Sequence, residues 1–238
     1  MNINLKLILG LIYILCLGVL LVFLFSNLDF KDLSDYTYIK TNSEKLLNFK
    51  NNNLILFIFI FFIFSILWIF LLGFAGPIAI LSGFIFGKWL GTMIAITSFA
   101  VGSTLLYIFA NYYFRSLIIN YLEKKIEKYK SLFNKNELVY FMIFRFAGGG
   151  GIPFGIQNVL PVVFDMKVKN YFYSTLFGLF PSVFVINSLG SGLEKLIEEN
   201  DNLSYTSIIL NSEIYWPIIG FSVLLIISFL IRKKIFKK

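Results

Sequence analysis

One arginine, Arg145, stands in an otherwise apolar run. Four consecutive glycines follow it (Gly148, Gly149, Gly150 and Gly151), then the pair Pro153 and Phe154, then two amides, Gln157 and Asn158. A guanidinium is permanently charged and presents a planar fork of donors suited to phosphate and carboxylate. Glycines let backbone N–H groups approach a ligand, and the N-terminus of a following helix adds positive potential. Residues of these types in this order are chemistry for holding an anion, and together they form the candidate binding set. Two simpler fates stand beside that reading: the arginine head snorkels to an interface, or it caps carbonyls of a neighbouring broken helix.

The rest of the chain sets where this chemistry must sit. Hydrophobic residues make up 58% of the 238 positions and aromatics 19%, and the mean hydropathy is +0.81. A water-soluble surface cannot be built from that. Uncharged stretches at 7–25, 54–87, 89–114, 146–164, 170–193 and 214–231 match or exceed the roughly 20 residues a helix needs to cross about 30 Å of hydrocarbon. The expectation is an all-α polytopic membrane protein. The net charge of +8 collects at 115–135 and 232–238, which fits cytoplasmic loops against anionic lipid and not nucleic acid. The first apolar run is longer than a signal-peptide core of about 7–15 residues and lacks a small-residue cleavage site, so it reads as a retained helix.

Enzyme chemistry has no footing. Histidine is absent and the single cysteine, Cys16, lies in the first apolar run. No paired carboxylates sit deep in an apolar segment, and no ligand cluster for a metal is present. No enzyme activity, cofactor or metal is expected.

Proline and glycine divide the long runs. A helix over 54–87 would be on the order of 50 Å long, and Gly73, Gly76 and Pro77 break it. The remaining short piece, with Gly83, Phe86 and Gly87, reads either as a re-entrant segment or as a kinked core helix. Residues 89–113 read as a crossing with small residues on one face, a pattern for close packing. Residues 115–133 alternate apolar and lysine positions as an interfacial amphipathic helix does, with a solvated loop as the other reading. Placing the basic segments in the cytoplasm makes the Arg145 stretch start and end on that side, so it must be re-entrant. The same walk places the N-terminus outside, although Lys6 argues the other way.

Residues 73–88 and 148–167 share an order: glycines, a proline, a short apolar run, a glycine or proline, then a charge. Each leads into a crossing helix with a central glycine, Gly102 or Gly178. That is the pattern of inverted repeats whose broken helices meet near the midplane.

The arrangement F-R-x(7)-P-F-x(3)-N at 144–158, followed by TLFGLFPSVF and preceded by GPIAILSGFIFGKWLG, resembles the DedA or SNARE-associated Golgi protein superfamily (the VTT domain), closest to its Tvp-like branch. The resemblance covers about 54–192. It implies two re-entrant segments facing each other from opposite leaflets, and a transporter or scramblase for phospholipids or polyprenyl phosphates. It carries the family arginine onto Arg145, the Pro-Phe pair onto Pro153 and Phe154, the asparagine onto Asn158, and the first motif onto Pro77, Gly83, Phe86 and Gly87. Many relatives place an acidic residue in or beside the first segment, and none lies in 73–87 here, so proton coupling through a buried carboxylate has little support. The expected organisation is an N-terminal helix and linker (1–53), a core (54–192) with re-entrant segments at 73–88 and 138–164, and an acidic loop, last helix and basic tail (193–238). About five transmembrane helices are expected. The partners implied are membrane lipids, including anionic phospholipid or polyprenyl phosphate, with homo-oligomers compatible and nucleic acid not expected. The implied location is a bacterial plasma membrane with a cytoplasmic C-terminus. The competing reading is a structural or assembly protein of the membrane that transports nothing.

Overall fold

The computed structural model describes residues 3–27, 36–71, 73–199 and 211–235. These form helices α1 (Ile3–Asn27), α2 (Tyr36–Asn52), α3 (Leu54–Leu71), α4 (Gly76–Tyr113), α5 (Arg115–Lys135), α6 (Glu137–Phe146), α7 (Phe154–Val159), α8 (Val168–Glu199) and α9 (Ser212–Ile235). Short 3₁₀ turns at Gly148–Gly151 and Leu160–Phe164 flank α7. No strand occurs among the described residues. The chain is an all-α membrane protein. Helices α3, α4 and α8 are each long and apolar enough to cross a bilayer, and α1 and α9 carry shorter apolar cores at Ile8–Val19 and Ser212–Ile227.

The two broken segments are hairpins. In the first, α4 is two helices joined at Gly87, whose φ of 75° and ψ of 172° leave the helical region. The Ser82 hydroxyl donates to the Gly91 carbonyl at 2.8 Å. In a straight helix nine residues span about 13 Å, so the chain doubles back at Gly87. The short arm (76–86) opens with Pro77 in its first turn, where a missing N–H costs nothing. It is about 16 Å long, half a bilayer, and runs back along α3 until Phe86 meets the rings of Phe57 and Phe61 at 5.8 and 5.3 Å. The long arm (88–113) then crosses.

The second hairpin repeats this plan. Helix α6 has ten residues, about 15 Å, and the glycine turn reverses the chain into α7. The base closes where the Glu137 carboxylate accepts from the Lys167 backbone N–H at 3.3 Å and from Asn170 Nδ2 at 2.5 Å. Asp165, at φ 54°, occupies the place Gly87 holds in the first hairpin, and α8 follows as the long arm. The tips of the two hairpins touch: a Cβ on Gly73 (φ +68°) would stand 2.8 Å from the Gly155 Cα.

Helix α8 is the post both hairpins lean on. Gly178 faces α6, where a Cβ would fall 2.7 Å from Arg145 Cβ and from the Met142 carbonyl. Gly190 faces the short arm, with 2.1 Å left to the Ile80 carbonyl. Pro181 lies inside this helix. Ser182, Asn187 and Ser188 return hydrogen bonds to carbonyls one turn back, which suits a helix with a proline in apolar surroundings. Helix α5 lies against the base of the second hairpin, burying Leu122 and Phe133, and the Phe133 ring stacks on Phe164 at 4.1 Å.

The direction of α1 departs from the sequence-based walk. Gly10 lies against the Phe114 ring, while Tyr13 stacks on Phe109 at 5.8 Å and donates to the Phe70 and Leu71 carbonyls at 3.0 and 2.8 Å. Rising numbers in α1 meet falling numbers in α4, so α1 begins at the Arg115 end. On sequence alone, residues 54–72 read as a crossing separate from the Gly76–Pro77 segment. Packed as the outer arm of the first hairpin, α3 starts on the side where the long arm starts, and the N-terminus changes sides. Residues 200–210, most of the expected acidic loop, lie outside the described residues.

Candidate functional site

Helix propensity and turn chemistry bring the site together. Asn136 caps α6 by accepting from the Val139 N–H, and α6 carries Phe141 and Arg145 at i and i+4 on one face. The apex needs glycine: Gly148, Gly149 and Gly151 have φ of 65°, 64° and 83°. Pro153 then starts α7, which presents Phe154, Gln157 and Asn158 back toward α6.

Arg145 is 1% exposed. It does not snorkel. Its Nη2 donates to Asn158 Oδ1 at 2.7 Å and to the Tyr171 hydroxyl at 2.9 Å, and its Nη1 donates to Gln157 Oε1 at 3.3 Å. The guanidinium carbon lies 5.0, 4.9 and 5.8 Å from the ring centres of Phe141, Phe154 and Tyr171, a cage of cation–π contacts. Tyr171 in turn donates to the Asn158 carbonyl at 3.3 Å and stacks on Tyr107 at 4.8 Å.

Among the described residues, every hydrogen-bond acceptor of the cation is neutral, and the Arg145 Nε and the Asn158 Nδ2 are buried without a partner. Burying an ion costs several kcal/mol even after relaxation, and each orphaned donor adds about 1–3 kcal/mol. Three hydrogen bonds to a charged group recover about 1.5–3 kcal/mol each. The group is held, but its charge is not neutralised, and two donors are left over.

Of the residues expected to bind, Arg145, Phe154, Gln157 and Asn158 come together. Gly149 joins them by necessity, since a Cβ there would sit 2.1 Å from the Gln157 amide. Gln157 also ties the apex, donating to the Ile152 carbonyl at 2.6 Å and the Gly148 carbonyl at 3.4 Å. Gly148, Gly151 and Pro153 are exposed at the apex, and Gly150 belongs to the same turn. The first motif builds the other hairpin: Gly76 and Pro77 open it, Gly83 leaves 2.0 Å to the Asn187 carbonyl, and Phe86 and Gly87 close it. The link between motifs is the Gly73–Gly155 contact and the edge contact of Phe99 with Phe154 at 6.5 Å.

Sequence reasoning missed Tyr171, Phe141 and the pairing of Arg115 with Asp165. Arg115 Nη1 and Nη2 donate to the two Asp165 oxygens at 2.6 and 2.8 Å, and this bond holds the Asp165 carboxyl below the usual carboxylate range. The signal for it was the lone acidic residue at the end of the hairpin. Among the described residues no three His, Cys, Asp or Glu side chains group as metal ligands.

A bundle in which two opposed half-helix hairpins meet beside a buried arginine defines a class of membrane protein built as an inverted repeat. Residues 75–192 match the VTT domain, and the chain carries that domain. It is 25% identical over 176 residues to the Transmembrane protein 41 homolog of Caenorhabditis elegans, covering 71% of this chain and 68% of that protein. It is 28% identical over 120 residues to the Uncharacterized protein YqeD of Bacillus subtilis, covering 48% of this chain and 55% of that one. No solved structure matches.

Proposed function

We propose that this protein moves a phosphate-bearing lipid or another anion through the membrane, with Arg145 as the group that meets the negative charge. One observation carries the reading: among the described residues, a fully buried guanidinium is bonded only to neutral acceptors, with its own Nε and the neighbouring Asn158 Nδ2 unpartnered. Intramembrane ionisable residues mark substrate paths by default, and an anion would satisfy both orphaned donors and the net charge in one step. Gln157 and Asn158 orient the fork, Phe154 and Phe141 cover its faces, and the glycine turn lets α7 shift against α6. The basic ends, Arg115 to Lys135 and the tail, belong on the cytoplasmic side of a bacterial plasma membrane by the excess of Lys and Arg there.

Closure of the site on all sides favours a second reading, in which the arginine only pins α6 to α7 and α8 and the protein is an assembly element. Proteoliposomes with fluorescent phospholipid separate the two. The expected result is flipping by wild type and a loss of it in Arg145→Ala that still elutes as a folded protein. Equal flipping by both would remove the role given to Arg145, and flipping at the empty-vesicle rate by wild type together with no anion uptake would leave the assembly reading in place.

A further inference from the structure

A cleft lies beside Tyr13 of α1, between α7 and the corner where α4 passes into α5. Tyr13, Phe109, Ala110, Phe114, Gly155 and Val159 line most of it, it encloses about 340 Å³, and its walls are almost wholly apolar. The Gly73–Gly155 contact of the two hairpin tips lies at its inner end, since both glycines border it. Its outer end is at Phe114, one residue from Arg115, where the chain becomes charged. From Phe114 back to Leu106, the deepest α4 residue of the lining, is eight residues or about 12 Å. The hydrocarbon of one leaflet is half of about 30 Å. The cleft therefore reaches from the interface to near the midplane, which is the path of a single acyl chain.

Its walls also suit that occupant. An apolar cavity offers water no partners and takes apolar ligands instead, and unfilled walls forfeit dispersion contacts. In a bilayer the ligand at hand is a lipid chain. Helix α1 closes the cleft through one strong anchor, the Tyr13 hydroxyl on the last carbonyls of α3. Helix α7 has two occupied faces. Gly155 and Val159 border the cleft, while Phe154, Gln157 and Asn158 contact Arg145.

We infer that this cleft is an acyl-chain site: a lipid of the leaflet on the Arg115 side seats one hydrocarbon chain between α7 and the α4–α5 corner, beside Tyr13, with the chain end on the Gly73–Gly155 contact.

The test uses the full chain in phosphatidylcholine vesicles doped with phosphatidylcholine bearing a diazirine at the end of one acyl chain. After irradiation, peptides are mapped by mass spectrometry, with lipid-facing α9 as the reference surface. Labelling is expected to concentrate around Leu106 to Ala110 and Tyr13, above the α9 level. Two variants fill the cleft from opposite walls, Val159→Trp and Ala110→Met, and both are expected to lose the excess label while keeping helical circular dichroism. Wild-type label no higher than on α9, or excess label that survives in a folded filled variant, overturns the site. Flipping measured in the same vesicles keeps the two proposals apart. If Arg145→Ala stops flipping and the filled variants neither lose label nor slow flipping, the acyl site fails and the role of Arg145 stands. If the filled variants lose both label and flipping while Arg145→Ala flips normally, the cleft stands and the arginine role fails.

Discussion

Asn158→Asp should make the protein more stable and less active. The Asn158 side chain is fully buried, its Oδ1 accepts from Arg145 at 2.7 Å, and its Nδ2 has no partner. Aspartate keeps the acceptor, removes the orphaned donor and supplies the missing negative charge. Removing a buried unsatisfied donor is worth about 1–3 kcal/mol. Desolvation of the new carboxylate and its attraction to the guanidinium roughly offset each other when the pair is well bonded. The net expectation is a gain of about 1–3 kcal/mol, and each kcal/mol moves the midpoint of a chain of this size by about 2–4 °C. Gln157→Glu is the matched control. Its Nε2 bond to the Ile152 carbonyl at 2.6 Å would become a repulsion between two acceptors, so that variant should lose stability although it adds the same charge. Thermal unfolding in detergent micelles reads the first effect, and lipid flipping or anion uptake reads the second. An internal carboxylate occupies Arg145, so transport should fall in Asn158→Asp despite the firmer fold. A lower midpoint for Asn158→Asp would refute the claim that the site lacks a counter-charge. A higher midpoint with undiminished transport would refute the claim that the unneutralised charge is what the ligand uses.

Three further outcomes follow from the packing. Gly178→Ala puts a methyl 2.7 Å from the Met142 carbonyl and Arg145 Cβ, an overpacking of about 1–3 kcal/mol that should lower the midpoint and loosen Arg145. The Arg115–Asp165 pair depresses the Asp165 carboxyl, so its stabilisation is present above the ordinary carboxylate value of about 3.9 and is lost as pH falls through the depressed one. The pair is exposed and worth less than about 1 kcal/mol, so the readout is a smaller hydrogen-exchange protection factor at 165–168 in acid, relative to the intrinsic rate at each pH, and no such change in Asp165→Asn. With α1 starting at the Arg115 end, cysteines placed at residues 2 and 237 in a Cys16→Ala background should both react with an impermeant maleimide from the same side of the membrane. Labelling from opposite sides would reverse α1.

The all-α class and the second hairpin were legible because they follow from local rules. A ten-residue apolar helix, a glycine run and a proline fix a reversal, and a reversal sets residues 12 and 13 positions beyond Arg145 against it. Tyr171 was not legible. It stands 26 positions on, one phenol among 13, and reaches the guanidinium only because α8 closes onto α6 at Gly178. The lengths misled in one place. Helix α3 has 18 residues, enough to be counted as an independent crossing, and nothing local says that the next eleven residues run back beside it. The contacts of Phe86 with Phe57 and Phe61 do say so, and that pairing is long-range.

The glycine run shows where chemistry and geometry trade places. Four glycines beside an arginine read as a nest of N–H donors for an anion. Three of them hold positive φ, and a fourth constraint, the approach of Gln157 to Gly149, leaves no room for a side chain. The turn therefore requires glycine whether or not a ligand comes near. What the turn does not require is the charge. The first hairpin makes the same reversal with no ionisable residue between 73 and 87, and its buried polar side chains, among them Ser82, Thr92 and the facing Asn187, are neutral. Two hairpins of one design differ in a single costly feature, and folding alone does not explain a cation that only the hairpin on the Arg115 side carries. Under the proposed function, the ligand supplies the demand for Arg145 that the fold does not.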